Sequence, residues 1–284
     1  MNTLRRPQGL IAMIGRVQTE RGRRQTGLYS IEGTRLVERA LRAGTPLVAV
    51  LAAEGLLAAP TPRVHDLLTA LAAANCPVTP APDAVLAGLT EGRDLGQLLG
   101  LVRLPPPVAL SELLPPPNTL TTAAPPAPQL PSSPALFLAA VDITDPGNVG
   151  ALTRTAHAGG AAALLVAGAS DPFHPRATRI SRGSIFKLPV VAYADAVALL
   201  ADLRAHGVAA IATAAAGGVL LPRLARPAGP VAVLMGNEAE GLPAAVAAAV
   251  NANVTIPMAA GVDSYSVNAA AAIVLYHLRQ EAAA

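Results

Sequence analysis

Three short blocks of glycine and polar residues stand in the second half of this 284-residue chain, each where an apolar run gives way to a helical pattern. The first is Asp145-Pro146-Gly147-Asn148-Val149-Gly150, with Arg154 four residues on. The second is Met235-Gly236-Asn237-Glu238-Ala239-Glu240-Gly241-Leu242. The third is Ile256-Pro257-Met258 followed by Asp263-Ser264-Tyr265-Ser266-Val267-Asn268. In a parallel α/β sheet, ligands bind at the carboxyl ends of strands, where such blocks would sit. A glycine there leaves the backbone open to a ligand. Amides, hydroxyls and a carboxylate supply directed hydrogen bonds, and an arginine supplies a forked cation that matches a phosphate.

Each polar residue also has a plainer reading. Asn148 and Ser264 stand where a helix N-cap is expected, Glu238 suits a helix N-terminus, and Arg154 would serve as a solvated helix residue. Other chemistries find no support. No GxGxxG follows a strand, no P-loop lysine motif exists, and the five histidines and single cysteine are too scattered for a metal site. A cysteine nucleophile would rest on Cys76 alone.

The elements that must carry these blocks follow from periodicity. Apolar runs at 136–143, 163–167, 188–193, 208–213, 231–235 and 254–258 have the length of buried strands. Helical patterns at 149–158, 195–205, 243–249 and 267–280 fall between or after them. Strand alternating with helix predicts a parallel sheet covered on both faces. Upstream, helices at 33–43 and 64–74 and strands at 47–52 and 98–103 predict a smaller α/β sandwich. Between the two, 105–134 is rich in proline and nearly uncharged, which predicts a semi-rigid extended linker. The expected domains are therefore 1–104 and 135–284.

Charge separates these halves. The formal net charge is +3, and the first 42 residues hold nine arginines against three acids. That bias suits a polyanionic partner, and Arg21, Arg23 and Arg24 are its first candidates. A second cluster, Arg176, Arg179, Arg182 and Lys187, reads either as a solvated helix face or as a wall that tracks phosphates. Aromatics make up only 2% of residues and tryptophan is absent, so broad base-stacking platforms are excluded. A single cysteine allows no internal disulfide and suits a reducing, cytoplasmic setting. The long uncharged stretches 113–141 and 242–262 are interrupted by proline or asparagine, so no membrane segment is expected; the apolar run at 10–14 is too short for a secretory core.

Taken together and in order, the three blocks resemble the SpoU (TrmH-like) RNA 2′-O-ribose methyltransferases of the SPOUT superfamily. Asn148, Gly150 and Arg154 are similar to that family's first motif, and Gly236, Glu238, Gly241 and Leu242 to its second. Ile256-Pro257-Met258 with Ser264–Asn268 resembles its third. The stretches at 171–173, 184–186 and 188–190 resemble the segment between the first two motifs, and 25–33 resembles the L30e-like substrate-binding domain that many members carry. The third motif departs from the pattern: Ser266 and Asn268 exchange the family's asparagine and serine, and Tyr265 replaces a leucine.

The resemblance implies an RNA methyltransferase, with ribosomal RNA favoured over transfer RNA, that uses S-adenosylmethionine and no metal. It further implies a deep trefoil knot in the C-terminal domain and a homodimer. Arg154, Asn148, Glu238, Ser264 and Asn268 would then be catalytic, with Glu238 orienting Arg154. Leu234, Gly236, Gly241, Ile256, Met258, Tyr265 and Ser266 would hold the cofactor, and the arginines at 21, 23, 24, 176, 179 and 182 would bind RNA. Two alternatives remain: a non-catalytic RNA-binding or ribosome-assembly factor with the same fold, and an unrelated α/β enzyme acting on a small phosphorylated molecule.

Overall fold

The computed structural model describes residues 6–90, 97–114 and 134–280. The chain divides into two compact units, Met1–Pro106 with Phe173–Lys187, and Pro107–Pro172 with Leu188–Ala284.

The first unit opens with α1 (Pro7–Val17), whose Leu10, Ile14 and Val17 recur at helical spacing and are fully buried. In α2 (Glu20–Thr26), the Thr19 hydroxyl accepts the Gly22 N–H, and Gly27 ends the helix in the left-handed region at φ +66°. Next come β1 (Leu28–Glu32), α3 (Thr34–Arg42), β2 (Leu47–Ala53), α4 (Glu54–Ala58), α5 (Pro62–Ala73), β3 (Val78–Ala81), α6 (Asp83–Leu89) and β4 (Leu98–Arg103). The strands order as β1-β4-β2-β3, with β4 antiparallel to both neighbours and β3 parallel to β2. Alternation along each strand splits the core across the sheet. Val50 and Leu98 join Tyr29, Val37 and Leu71 on one face, whereas Leu51 and Leu99 join Leu10 and Ile14 on the other. The expected elements correspond to α3, β2, α5 and β4; α1, α2, β1, α4, β3 and α6 have no counterpart among the expected elements.

One ion cluster on α3 carries a pH prediction. Glu38 receives hydrogen bonds from Arg63 and Arg42, and the Arg63 bond above all holds its carboxyl below the usual range, with burial opposing. A carboxyl depressed in the fold stabilises above its unfolded value of about 4.3, and that contribution is lost as pH falls through the folded value. The melting temperature of Glu38→Gln should thus lie on the order of 2 °C below wild type at pH 7, the gap closing on acidification below about pH 4. Thermal melts across that range check it.

The second unit is built from β5 (Leu136–Val141), α7 (Pro146–Ala158), β6 (Ala163–Ala167), and, after α8 (Pro175–Ile180), β7 (Val190–Tyr193) and α9 (Ala196–Ala205). It continues with β8 (Ala209–Thr213), β9 (Val219–Leu220), β10 (Val231–Met235), α10 (Ala244–Ala249), β11 (Ala252–Thr255) and α11 (Val267–Gln280). Its sheet is parallel throughout among the described residues, in the order β7-β6-β5-β10-β8-β11-β9. Every residue of β5, β6 and β10 is buried, as continuous apolar runs covered on both faces require. Strand ends fall short of the expected ranges at prolines: β7 starts after Pro189 and β11 stops before Pro257.

Two departures concern organisation. The segment Phe173–Lys187, which contains α8, groups with the first unit, where the Phe173 ring packs against Tyr29 at a tilt of 59° with centroids 5.1 Å apart. Of the expected linker, 115–133 lies outside the described residues. Before it, Leu110–Leu113 forms a 3-10 turn and Leu110 is fully buried in the core of the second unit. No helix among the described residues is long and apolar enough to cross a membrane.

Candidate functional site

The three blocks occupy the carboxyl ends of β5, β10 and β11 and the starts of α7 and α11. After β5, Asp145 caps α7: its Oδ1 accepts the Asn148 N–H at 2.9 Å, and Pro146 opens the helix. The cap is therefore Asp145 and not Asn148. This releases the Asn148 side chain, whose Nδ2 donates to Glu238 Oε1 at 2.7 Å.

Glu238 stands in a closed loop after β10 and not at a helix N-terminus, since α10 begins only at Ala244. The loop is drawn shut by a backbone pair: Asn237 N–H donates to the Gly241 carbonyl at 3.0 Å, and Gly241 N–H to the Asn237 carbonyl at 2.8 Å. Gly241 turns the chain at φ +70°, a conformation that glycine adopts without steric cost.

In the third block the helix cap also moves. The Ser266 Oγ accepts the Ala269 N–H at 3.3 Å, so Ser266 rather than Ser264 caps α11. One residue into the helix, the exchanged Asn268 has its Oδ1 2.6 Å from the Thr155 hydroxyl on α7, which donates to it. The longer amide reaches across to the neighbouring helix and pins α11 to α7 there.

These loops enclose a cavity of about 740 Å³. Among the expected residues, Asn148, Gly236, Glu238, Gly241, Ile256, Met258, Ser264, Tyr265 and Ser266 line it. Leu234 does not; its side chain is fully buried in the sheet core because β10 turns that position inward. Neither Asn268 nor Arg154 lines the cavity. Arg154 is exposed on α7 and makes no hydrogen bond or ion pair with another described residue, so the expected pairing with Glu238 is absent; Asn148 takes that carboxylate. The sequence reading also missed lining residues: Thr213 at the end of β8, Asn237, Glu240 and Asp263. Thr213 was findable as the last residue of an apolar run. Glu240 and Asp263 lie inside the quoted blocks and gave no spacing signal of their own.

The arginine assignments divide. Arg23 is buried, and its guanidinium donates to the carbonyls of Val17 at 2.8 Å and Gln18 at 3.0 Å, closing the end of α1. It is thereby withdrawn from an RNA surface. Arg179 is likewise committed, to Glu32 at 2.5 Å. Arg21, Arg24, Arg176 and Arg182 are exposed, with Arg24 paired to Glu20 on its own helix. Burial pushes the Cys76 thiol up to about 11, which leaves it a poor nucleophile near neutrality.

Comparison with known proteins bears on this geometry. The profile of the SpoU rRNA methylase family matches residues 135–276, and that of the MRM3-like substrate binding domain matches residues 7–97. A curated relative, the 23S rRNA (guanosine(2553)-2′-O)-methyltransferase RlmP of Bacillus subtilis, is 34% identical over 143 residues, which cover 48% of this chain and 55% of the relative. An AdoMet-bound rRNA methyltransferase from Sinorhizobium meliloti superposes with a TM-score of 0.76 at 26% identity, over 95% of this chain and 94% of its own. A solved RNA 2′-O ribose methyltransferase reaches a TM-score of 0.73 at 33% identity over 98% and 97%. With three motifs gathered on one cavity and a family profile spanning half of its length, this chain belongs to the SpoU rRNA methylase family.

Proposed function

We propose that this protein transfers a methyl group from S-adenosylmethionine to a ribose 2′-hydroxyl of RNA, with ribosomal RNA as the substrate class. The observation that carries the reading is the meeting of Asn148 and Glu238, 90 positions apart, at 2.7 Å on the wall of the cavity lined by the second and third blocks. The substrate class follows the rRNA methyltransferases to which the chain is similar.

The cavity suits the cofactor chemically. Its volume lies within the usual range for small-molecule sites. Ile256, Met258 and Leu242 offer apolar faces to an adenine, Gly236 and Gly241 expose backbone, and Glu240 and Asp263 oppose positive charge. Bound S-adenosylmethionine supplies an electrophilic methyl group. The protein's part is then alignment, for which effective molarities reach roughly 10⁵ M or more. Arg154 would hold the target phosphate and stabilise the negative charge that develops on the ribose oxygen. A guanidinium is a poor proton acceptor, so its role is electrostatic rather than that of a base, and the hydroxyl proton would pass to solvent as the methyl–sulfur bond is exchanged for the methyl–oxygen bond. Asn148 and Glu238 brace the turn that feeds α7, and Asn268 through Thr155 braces the same helix about two turns further along. Arg21, Arg24, Arg176 and Arg182 would track the RNA backbone.

We infer also that the second unit is knotted and that the protein works as a homodimer in the cytosol. Family membership supports the first two, together with β10 lying between the earlier strands β5 and β8 and with the exposed Val262, Tyr265 and Tyr276. The lone, buried cysteine suits the third.

Tritiated methyl transfer to separate pools of unmodified ribosomal and transfer RNA tests the reading. Label recovered as a 2′-O-methylated nucleotide in the ribosomal pool is the expected result. Label in transfer RNA alone would reassign the substrate. No label, despite binding of cofactor and RNA, would favour a non-catalytic factor.

A further inference from the structure

Asn237 lies between the two residues of its block that the family pattern names, Gly236 and Glu238, and lines the same cavity. Its side chain makes three hydrogen bonds. Oδ1 accepts the N–H groups of Ala239 at 2.9 Å and Glu240 at 3.2 Å, while Nδ2 donates to the carbonyl of Asp142 at 2.9 Å. Its own backbone forms the pair with Gly241 that closes the loop. One amide therefore shapes the turn that carries Glu238 and ties that turn to the end of a different strand.

The place where it ties is itself braced. Asp142 follows β5 with φ +52°, a left-handed conformation that costs a non-glycine residue on the order of 1 kcal/mol. The Asp142 Oδ1 accepts the Ala169 N–H at 3.1 Å, and the next residue, Ile143, donates its N–H to the buried Ser170 Oγ at 3.0 Å. Three residues later α7 begins, bringing Asn148 to Glu238. The β5 and β10 loops are thus cross-linked by two rungs. One is the cavity-side rung Asn148–Glu238; the other is Asp142–Asn237, at the root of both loops. Adjacent parallel strands do not by themselves set the distance between the loops that follow them. Two rungs do.

We propose that Asn237 is a positioning residue for methyl transfer: its amide sets the separation of the two loops and acts through Glu238 and Asn148 on the helix that presents Arg154. This rests on the methyltransferase reading given above. Asn237→Asp is the informative substitution. The carboxylate keeps an acceptor for Ala239 and Glu240 but sets an oxygen without a proton against the Asp142 carbonyl, so the turn persists while the rung is lost.

The test is a double-mutant cycle on the full chain with Asn237→Asp, Glu238→Ala and the pair, measuring kcat on ribosomal RNA, cofactor Kd and melting temperature. Asn237→Asp should lower kcat about 30-fold, in line with sub-ångström misplacement of reacting groups, while the melting temperature falls by less than about 3 °C. On the Glu238→Ala background the same change should cost no more than about threefold, because the path it acts through is already cut. Full multiplicative losses, an unchanged kcat, or a kcat that falls only in step with melting temperature would each overturn the proposal. A wild-type chain that transfers no methyl group to any RNA would overturn the methyltransferase reading and this proposal together.

Discussion

Arg154→Ala should lower methyl transfer by about 10³-fold, roughly 4 kcal/mol of transition-state stabilisation, with cofactor affinity and melting temperature nearly unchanged. The asymmetry follows from where Arg154 sits. It is exposed on α7, touches no other described residue through a hydrogen bond or ion pair, and lies outside the cofactor cavity. No described residue is left unpaired by its removal, and the described cavity wall keeps its lining. What is lost is a forked cation held on a helix whose first and last turns are braced by Asn148–Glu238 and Thr155–Asn268. Arg154→Lys sharpens the point. It keeps the charge but loses the paired donors, so about tenfold to hundredfold of the rate should go. Single-turnover kinetics beside calorimetric cofactor binding check both variants. Near-normal turnover by the lysine enzyme would rule out the two-donor role.

Gly236→Ala should produce the opposite pattern: loss of cofactor binding together with loss of stability. A Cβ at this position would stand 2.4 Å from the carbonyl carbon of Gly241 and 2.4 Å from the nitrogen of Leu242. Both are backbone atoms in a loop held shut by the Asn237–Gly241 pair, so neither can swing aside as a side-chain tip would. Overpacking of this kind costs roughly 1–3 kcal/mol, or a fall of about 5 °C in melting temperature for a chain of this size. The displaced loop carries cavity lining from Gly236 to Leu242, and cofactor affinity should fall about 100-fold. Gly241→Ala is the control. Nothing lies within 4 Å of its added carbon, yet its φ of +70° strains any other residue by about 1–2 kcal/mol. Stability should therefore drop without the same loss of binding. Equal effects in the two variants would mean that strain, not the clash, governs the loop.

The arginines of the first unit show how far composition leads and where it stops. Nine arginines in the first 42 residues mark that end of the chain as basic, and charge is a property that counting reads correctly. Which of them face solvent is a different matter. Arg23 is spent on two carbonyls at the end of α1, one helical step from the exposed Arg24. Neighbours of identical type have opposite environments because a helix turns by 100° per residue and only packing decides which side is buried.

What the sequence by itself determined here is everything governed by local physics. Buried parallel strands announced themselves as unbroken apolar runs, prolines ended them, and glycines marked the loops that need positive φ or close approach. The three blocks, read in order, also sufficed to name the family. Only the tertiary structure decided the partners. Asn148 was equally fit to cap its helix or face a ligand until Asp145 took the cap and Glu238 arrived from 90 residues away. Asn268 found Thr155 across 113 positions, and Arg179 found Glu32 across 147. Such pairings cost chain entropy that no local pattern records, and they form only because the sheet and its crossovers have already brought the strand ends together.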